Sequence, residues 1–380
     1  MFVLHALGSN GSGQLGIGHK EDVSAPEPVH LPYSLTNPRP KLKQITAGGN
    51  HTLLLFQSGD LLWSGDHTTG ACGPVNSTSD DDSTELPPRF RPVDLTSLPP
   101  GIKPSFVTAT WNSTVVITSG SSSSSRHTNS VYTFGTGQKG ELGLGPNTTH
   151  TPLPTLVQDF PPPETHIIDI SSCMGHVVVV LSNGEAWGWG NGRKGQLGEP
   201  TASAVFCPRR IEGVRFRVVK AVCGREFTVL FGPPESGDMT VLGSDKWGVR
   251  SQAPILSSPL GGVTGWKEAG AGWGSVFVLK ADGVLLSWGR DDHGQLAPNG
   301  LGRVRHIAVG SEHAAALTEE SELIVWGWGE HGNCGPLRNE KGGKSEKGEC
   351  NKIATAVQGM DITVIAAGCA TTWIGFEKQT

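Results

Sequence analysis

The chain is short of charge, of tyrosine and of methionine. Only 17% of its 380 residues are Asp, Glu, Lys or Arg, and it carries 2 Tyr and 4 Met. The formal net charge is −5, so no basic domain offers itself to a nucleic-acid backbone. No apolar run approaches the roughly 20 residues needed to span a bilayer. The N-terminal Met1-Phe2-Val3-Leu4-His5-Ala6-Leu7 lacks the basic flank of a secretory leader and reads as a strand ending at Gly8. None of the cysteines (Cys72, Cys173, Cys207, Cys223, Cys334, Cys350, Cys369) stands in Cys-x-x-Cys spacing, and their number is odd. That argues against a disulfide framework or a zinc ribbon and for a reducing compartment, cytoplasm and also nucleus. Convincing amphipathic helices are absent too.

What is present is glycine, 53 residues, with 26 Pro and 11 Trp. The glycines do not recur every third residue, which excludes collagen. They recur as a pair five residues apart, often followed by Gln-Leu-Gly: Gly8/Gly13, Gly65/Gly70, Gly135/Gly140, Gly190/Gly195, Gly243/Gly248, Gly289/Gly294 and Gly327/Gly332. Leu15, Leu142, Leu197 and Leu296 occupy the Leu position and are expected to pack between repeats. A second anchor, a Gly with a His three residues later, precedes most copies, as in Gly48…His51 and Gly310…His313. It lies 17 residues before the turn glycine at Gly48, Gly272 and Gly310, and Cys173 takes its place before Gly190. Between the anchors run β-branched and apolar segments such as Val177-Val178-Val179-Val180-Leu181, bounded by hairpin dipeptides such as Asn183-Gly184 and Asp282-Gly283.

The repeat therefore predicts strand, hairpin, strand and glycine turn, seven times. The C-terminus repeats the second anchor at Gly368 with no turn after it. The N-terminus carries a turn at Gly8 with only a short strand before it. Joined, they complete one repeat, so the expectation is an all-β, seven-bladed β-propeller. Its ring would be closed by the N- and C-terminal strands in one composite blade, leaving no large free sheet edge. Residues 1–380 would form this single unit, with inserted loops at about 74–100, 120–130 and 336–352 whose polar, Pro-, Ser- or Lys-rich composition reads as spacer.

The stretch Trp189-Gly190-Asn191-Gly192-Arg193-Lys194-Gly195-Gln196-Leu197-Gly198 resembles the motif of the regulator-of-chromosome-condensation repeat family, and the resemblance runs from Met1 to Phe376. Three matches to Gly-x-Gly-x-x-Gly fall on this repeat, at Gly135, Gly190 and Gly327, with no helix to follow. They read as turns, not as a dinucleotide fingerprint. No Gly-x-Ser-x-Gly elbow occurs. His331 and Cys334 have metal-like spacing but lack a local fourth ligand. The registered His51, His176 and His313 read as buried rings bonded to a neighbouring blade's backbone. The expectation is a chain that is not an enzyme, with no cofactor and no metal.

A partner would meet loops. The residues two before the registered His are Gly49, Trp111, Met174, Arg225, Trp273, Ser311 and Cys369; the next positions include Glu226 and Glu312. Trp and Arg there have hot-spot chemistry, so Trp111, Arg225, Glu226, Trp273 and Glu312 are the candidate partner-binding residues. The plant UV-B photoreceptor of this family carries clustered Trp and Arg at the matching position. Only Trp111, Trp273 and Arg225 match, and the absence of a Gly-Trp-Arg-His-Thr motif disfavours photoreception.

Within the family the chain is similar to the small fungal alpha-tubulin-suppressor, or killer-toxin-insensitivity, branch. That similarity implies a heterodimer with the small CSL-type zinc-finger protein of diphthamide synthesis. It also implies a role with Elongator in tRNA wobble-uridine modification. The alternative is a guanine-nucleotide exchange factor for a Ran-like small GTPase, as the founding member is. A ubiquitin ligase or kinase of this repeat class would need an extra domain.

Overall fold

The computed structural model describes residues 2–32, 41–75, 87–119, 129–254, 262–336, 350–353, 357 and 359–378. Their regular structure is β throughout, in seven antiparallel sheets of three or four strands. Blade 1 spans residues 42–92, blade 2 103–156, blade 3 167–210, blade 4 220–243, blade 5 266–289 and blade 6 304–352. Blade 7 is composite: Met360–Ala367 and Thr371–Lys378 continue into Phe2–Gly8 and Val23–Pro28. The closing ladder runs from Phe2 opposite Glu377 to Gly8 opposite Thr371. The expected seven-bladed ring and its closure are both as read from the repeat.

The turn glycines are where the backbone requires them. Gly190 has φ of +102°, and a Cβ there would lie 2.4 Å from the Gly175 carbonyl. No L side chain fits that geometry. The second anchor has a different cause. A Cβ at Gly48 would stand 2.2 Å from Cε1 of His51, and one at Gly310 2.3 Å from Cε1 of His313. These glycines make room for the imidazole that follows.

Six of the seven junctions between adjacent blades carry one of two polar locks. In the first, His51, His176 and His313 place Nε2 3.3, 3.0 and 2.9 Å from the hydroxyls of Thr114, Thr228 and Thr372 on the next blade. Thr114 and Thr372 donate onward to the carbonyls of Ala71 and Asn333. The histidine's partner is thus a side-chain hydroxyl, a correction to the expected backbone bond; at Thr114 and Thr372 the carbonyl is reached through it. In the second lock, the indole N–H of Trp189, Trp288 and Trp326 donates to the carbonyls of Glu141, Val249 and Gln295 on the preceding blade. His–Thr locks serve junctions 1/2, 3/4 and 6/7, whereas Trp locks serve 2/3, 4/5 and 5/6. At 7/1, Ser64 donates to the Gly13 carbonyl.

Leu15, Leu142 and Leu197 are buried as expected, while Leu296 is half-buried. Leu197 joins Ile211, Val218 and Leu230 in a core shared by blades 3 and 4. The innermost strands face a central channel rather than a neighbouring sheet. Their free backbone groups are met by side chains: Gln44 bonds both polar groups of Val107, Asp169 accepts from Ala221 N, and Glu268 accepts from Ile307 N. Within the inserted stretch at 74–100, Arg91–Pro92 forms the outer strand of blade 1, and Phe90, Val93 and Leu98 are buried. Much of the insertions at 120–130 and 336–352 lies outside the described residues.

Candidate partner-binding face

Where the innermost strand of each blade turns back into the registered-His strand, seven short loops surround one mouth of the channel, whose volume is about 280 Å³. Backbone bonds tie loop to loop: Gly49 N donates to Trp111 O, Trp111 N to Met174 O, Arg225 N to Trp273 O, and Trp273 N to Ser311 O, at 2.7–3.2 Å. Met174 accepts in a left-handed conformation, with φ of 47°. The loops are therefore a fixed rim.

Trp111 comes from blade 2 and Trp273 from blade 5, on opposite sides of the ring. Their side chains nonetheless meet over the channel, with ring centroids 6.0 Å apart and planes inclined by 43°. Both are half-buried. The exposed guanidinium of Arg225 lies 5.6 Å from the Trp273 ring centroid. Beside them a cavity of about 400 Å³ is lined by Arg225, Glu226, Trp273 and Glu312 together with Lys246, Trp247 and Arg290. The structure thus brings four of the five candidate residues to one cavity and sets Trp111 against Trp273 at its edge.

The two glutamates differ in commitment. Glu312 is buried. It forms a short ion pair with Arg290 and accepts from Gln295 Nε2 at 3.0 Å. Burial raises its pKa, opposed by the bonds from Gln295 and Arg290. Asp292, bonded to Arg290 at 2.7 Å, is held well below the usual carboxylate range by that bond. Glu226 is half-buried, and among the described residues its carboxylate meets only the exposed Arg193, at 3.7 Å.

Five further side chains make up the rest of the face. Arg290 lies 4.8 Å from the ring of Trp247 and 5.9 Å from that of Trp328. Lys246 also lies 4.8 Å from Trp247, and His293 stacks on Trp328 at 4.3 Å. Sequence reasoning missed this group, although one signal was present. The residue before the second turn glycine is Ser12, Thr69, Lys139, Lys194, His293 or His331 in the other repeats and Trp247 in blade 4. A tryptophan in a turn with no strand to pack is conspicuous.

The remaining candidates for chemistry are occupied structurally. His331 bonds Asp22 at 2.8 Å, while Cys334 is buried in the blade 6–7 core. Cys173 and Cys223, near the channel, are raised by burial, Cys223 to about 12, so neither is a ready nucleophile. His51, His176 and His313 are lowered by burial to about 4 and are neutral near pH 7. Among the described residues no three His, Cys, Asp or Glu side chains cluster closely enough to hold a metal ion.

A family model described as RCC1-like domain matches residues 3–374. An RCC1 repeat-containing protein of Schizosaccharomyces pombe is 29% identical, with 99% of each chain covered. The ultraviolet-B receptor of Arabidopsis thaliana is 30% identical over 46% of this chain and 44% of its own length. A secretion-regulating guanine nucleotide exchange factor of Mus musculus is 25% identical over 88% of this chain and 75% of its own. The crystal structure of Prp20p from Saccharomyces cerevisiae superposes with a TM-score of 0.79 at 21% identity, covering 100% of this chain and 92% of that one.

Proposed function

The chain belongs to the RCC1-like domain family, and from that premise we propose that it is a non-catalytic protein-interaction subunit whose partner docks on the Trp111/Trp273 rim. The observation that carries this reading is the pair of half-buried indoles meeting over the channel with exposed Arg225 against one of them. Rigid aromatic side chains with an arginine fork beside them are the side chains that dominate interface energetics. The backbone-tied rim holds them in place before any partner arrives, which lowers the entropy cost of docking.

The partner we propose is the small CSL-type zinc-finger protein of diphthamide synthesis. Through it the chain would serve Elongator-dependent tRNA wobble-uridine modification, in the cytoplasm and also the nucleus. Similarity over 99% of each chain to a fission-yeast RCC1 repeat protein supports assignment to the small fungal branch. The test is co-purification from the native organism. Tagged wild type is expected to retain the zinc-finger protein, and Trp111→Ala or Trp273→Ala to retain much less. A wild-type chain that brings down no such partner, or that strongly accelerates nucleotide release from a Ran-like GTPase, replaces this reading.

A further inference from the structure

The cavity beside Trp273 has an unbalanced rim. Of the cations that line it, Arg290 is neutralised by Glu312 and Asp292. Of the anions, Glu312 is committed to Arg290, and Glu226 faces Arg193 at 3.7 Å. Arg225 and Lys246 remain. Both are exposed, and among the described residues neither has a carboxylate within ion-pair distance; each lies instead against an indole, Trp273 and Trp247 respectively. In a chain of net charge −5, two unneutralised cations flanking one aromatic-walled cavity form a local positive site.

Resting on the reading that this face binds a protein, we infer that the cavity between Trp247 and Trp273 is the socket for an acidic segment of that partner. Arg225 takes a carboxylate through its planar fork, and Lys246 takes a second as a point charge. The indole walls receive an apolar side chain between them. A guanidinium resting on an indole is already ordered, so less freedom is lost when it engages a carboxylate. Glu312 and Arg290 stand behind the socket as its support: their mutual pairing removes both charges from competition for the ligand. A nucleic-acid strand is a poorer occupant, because two free cations release too few counterions for appreciable affinity.

The experiment places the photo-crosslinker p-benzoylphenylalanine at Ser244, inside the socket, and at Lys139, in the neighbouring register of blade 2's turn on the same face. Each full chain is irradiated in extract of the native organism, and the captured peptide is sequenced by mass spectrometry. The expected result is capture at position 244 of a partner peptide with net negative charge. That capture should be weakened at least tenfold by Arg225→Glu combined with Lys246→Glu, and should fall as salt rises. The unfolding midpoint of the double variant shows that it is folded. A neutral or basic captured peptide, a nucleic-acid adduct, or capture insensitive to the charge reversals overturns the inference. So does capture at 139 without capture at 244, and that outcome leaves the protein-interaction reading standing. No capture at either position overturns both.

Discussion

The junctions between blades 3 and 4 and between blades 5 and 6 are built on the same register and finish differently. At 5/6, Trp326 locks to the Gln295 carbonyl, and Gln295 Nε2 reaches both Asp292 and Glu312. Arg290 closes the network from between two indoles. At 3/4 the lock is His176 to Thr228. Gln196 holds the equivalent turn through its Oε1, but its buried Nε2 has no partner among the described residues. Asn191 stands where Arg290 does, and Glu226 pairs with the exposed Arg193. One junction uses its polar groups internally. The other leaves Glu226 with a long, exposed pair to Arg193 and the Gln196 Nε2 with no partner among the described residues, next to exposed Arg225. Identical repeats thus separate support from contact by side-chain choice alone.

Acid should affect the two kinds of junction most unequally. Each inter-blade histidine has a folded pKa of about 4, below the unfolded value of about 6.5. Between those values the unfolded chain binds more protons. The stabilisation is therefore complete above about pH 6.5 and is lost as pH falls towards 4, by about 3 kcal/mol per histidine. Urea midpoints measured from pH 7 to pH 4 should fall steeply. His51→Phe would copy blade 4, where Phe227 packs over Gly224 in the same register. It should remove about a third of that slope, and Trp288→Phe should leave it unchanged.

Glu312→Ala should cost about 3 kcal/mol, because it takes from Arg290 and Gln295 their buried carboxylate and leaves each with the exposed Asp292. Glu226→Ala should cost under about 1 kcal/mol, as expected for a solvent-facing pair. Equal losses in chemical denaturation would dissolve the distinction between the junctions. A smaller contrast is expected at the two glutamines. Gln295→Leu should destabilise by about 1–2 kcal/mol more than Gln196→Leu, since only Gln295 uses its Nε2.

The ring was legible in the sequence because its cause is local. A glycine forced to positive φ or crowded by a histidine ring is a requirement of one turn, repeated where the turn repeats. The strand pattern between turns is local in the same sense. The alternation of locks was also present: blades 2, 4 and 7 carry Phe134, Leu242 and Leu7 where blades 3, 5 and 6 carry Trp189, Trp288 and Trp326, and only the former follow a histidine blade. That signal is a pairing between successive repeats, and reading each repeat alone hides it. Trp111 and Trp273 were singled out by register, but their contact depends on the diameter of a closed ring. The Trp247–Arg290–Trp328 group joins the turns of three successive blades, a contact that no single repeat shows.

The indole pair at the channel mouth is the centre of the proposed binding face. Titration calorimetry of the co-purified partner into wild-type chain and into the Trp111→Ala/Trp273→Ala double variant addresses it directly. Affinity at least about tenfold weaker in the variant is predicted from hot-spot energetics. An affinity within about twofold of wild type, well inside the spread of near-neutral interface positions, would contradict the assignment of this face as the binding surface.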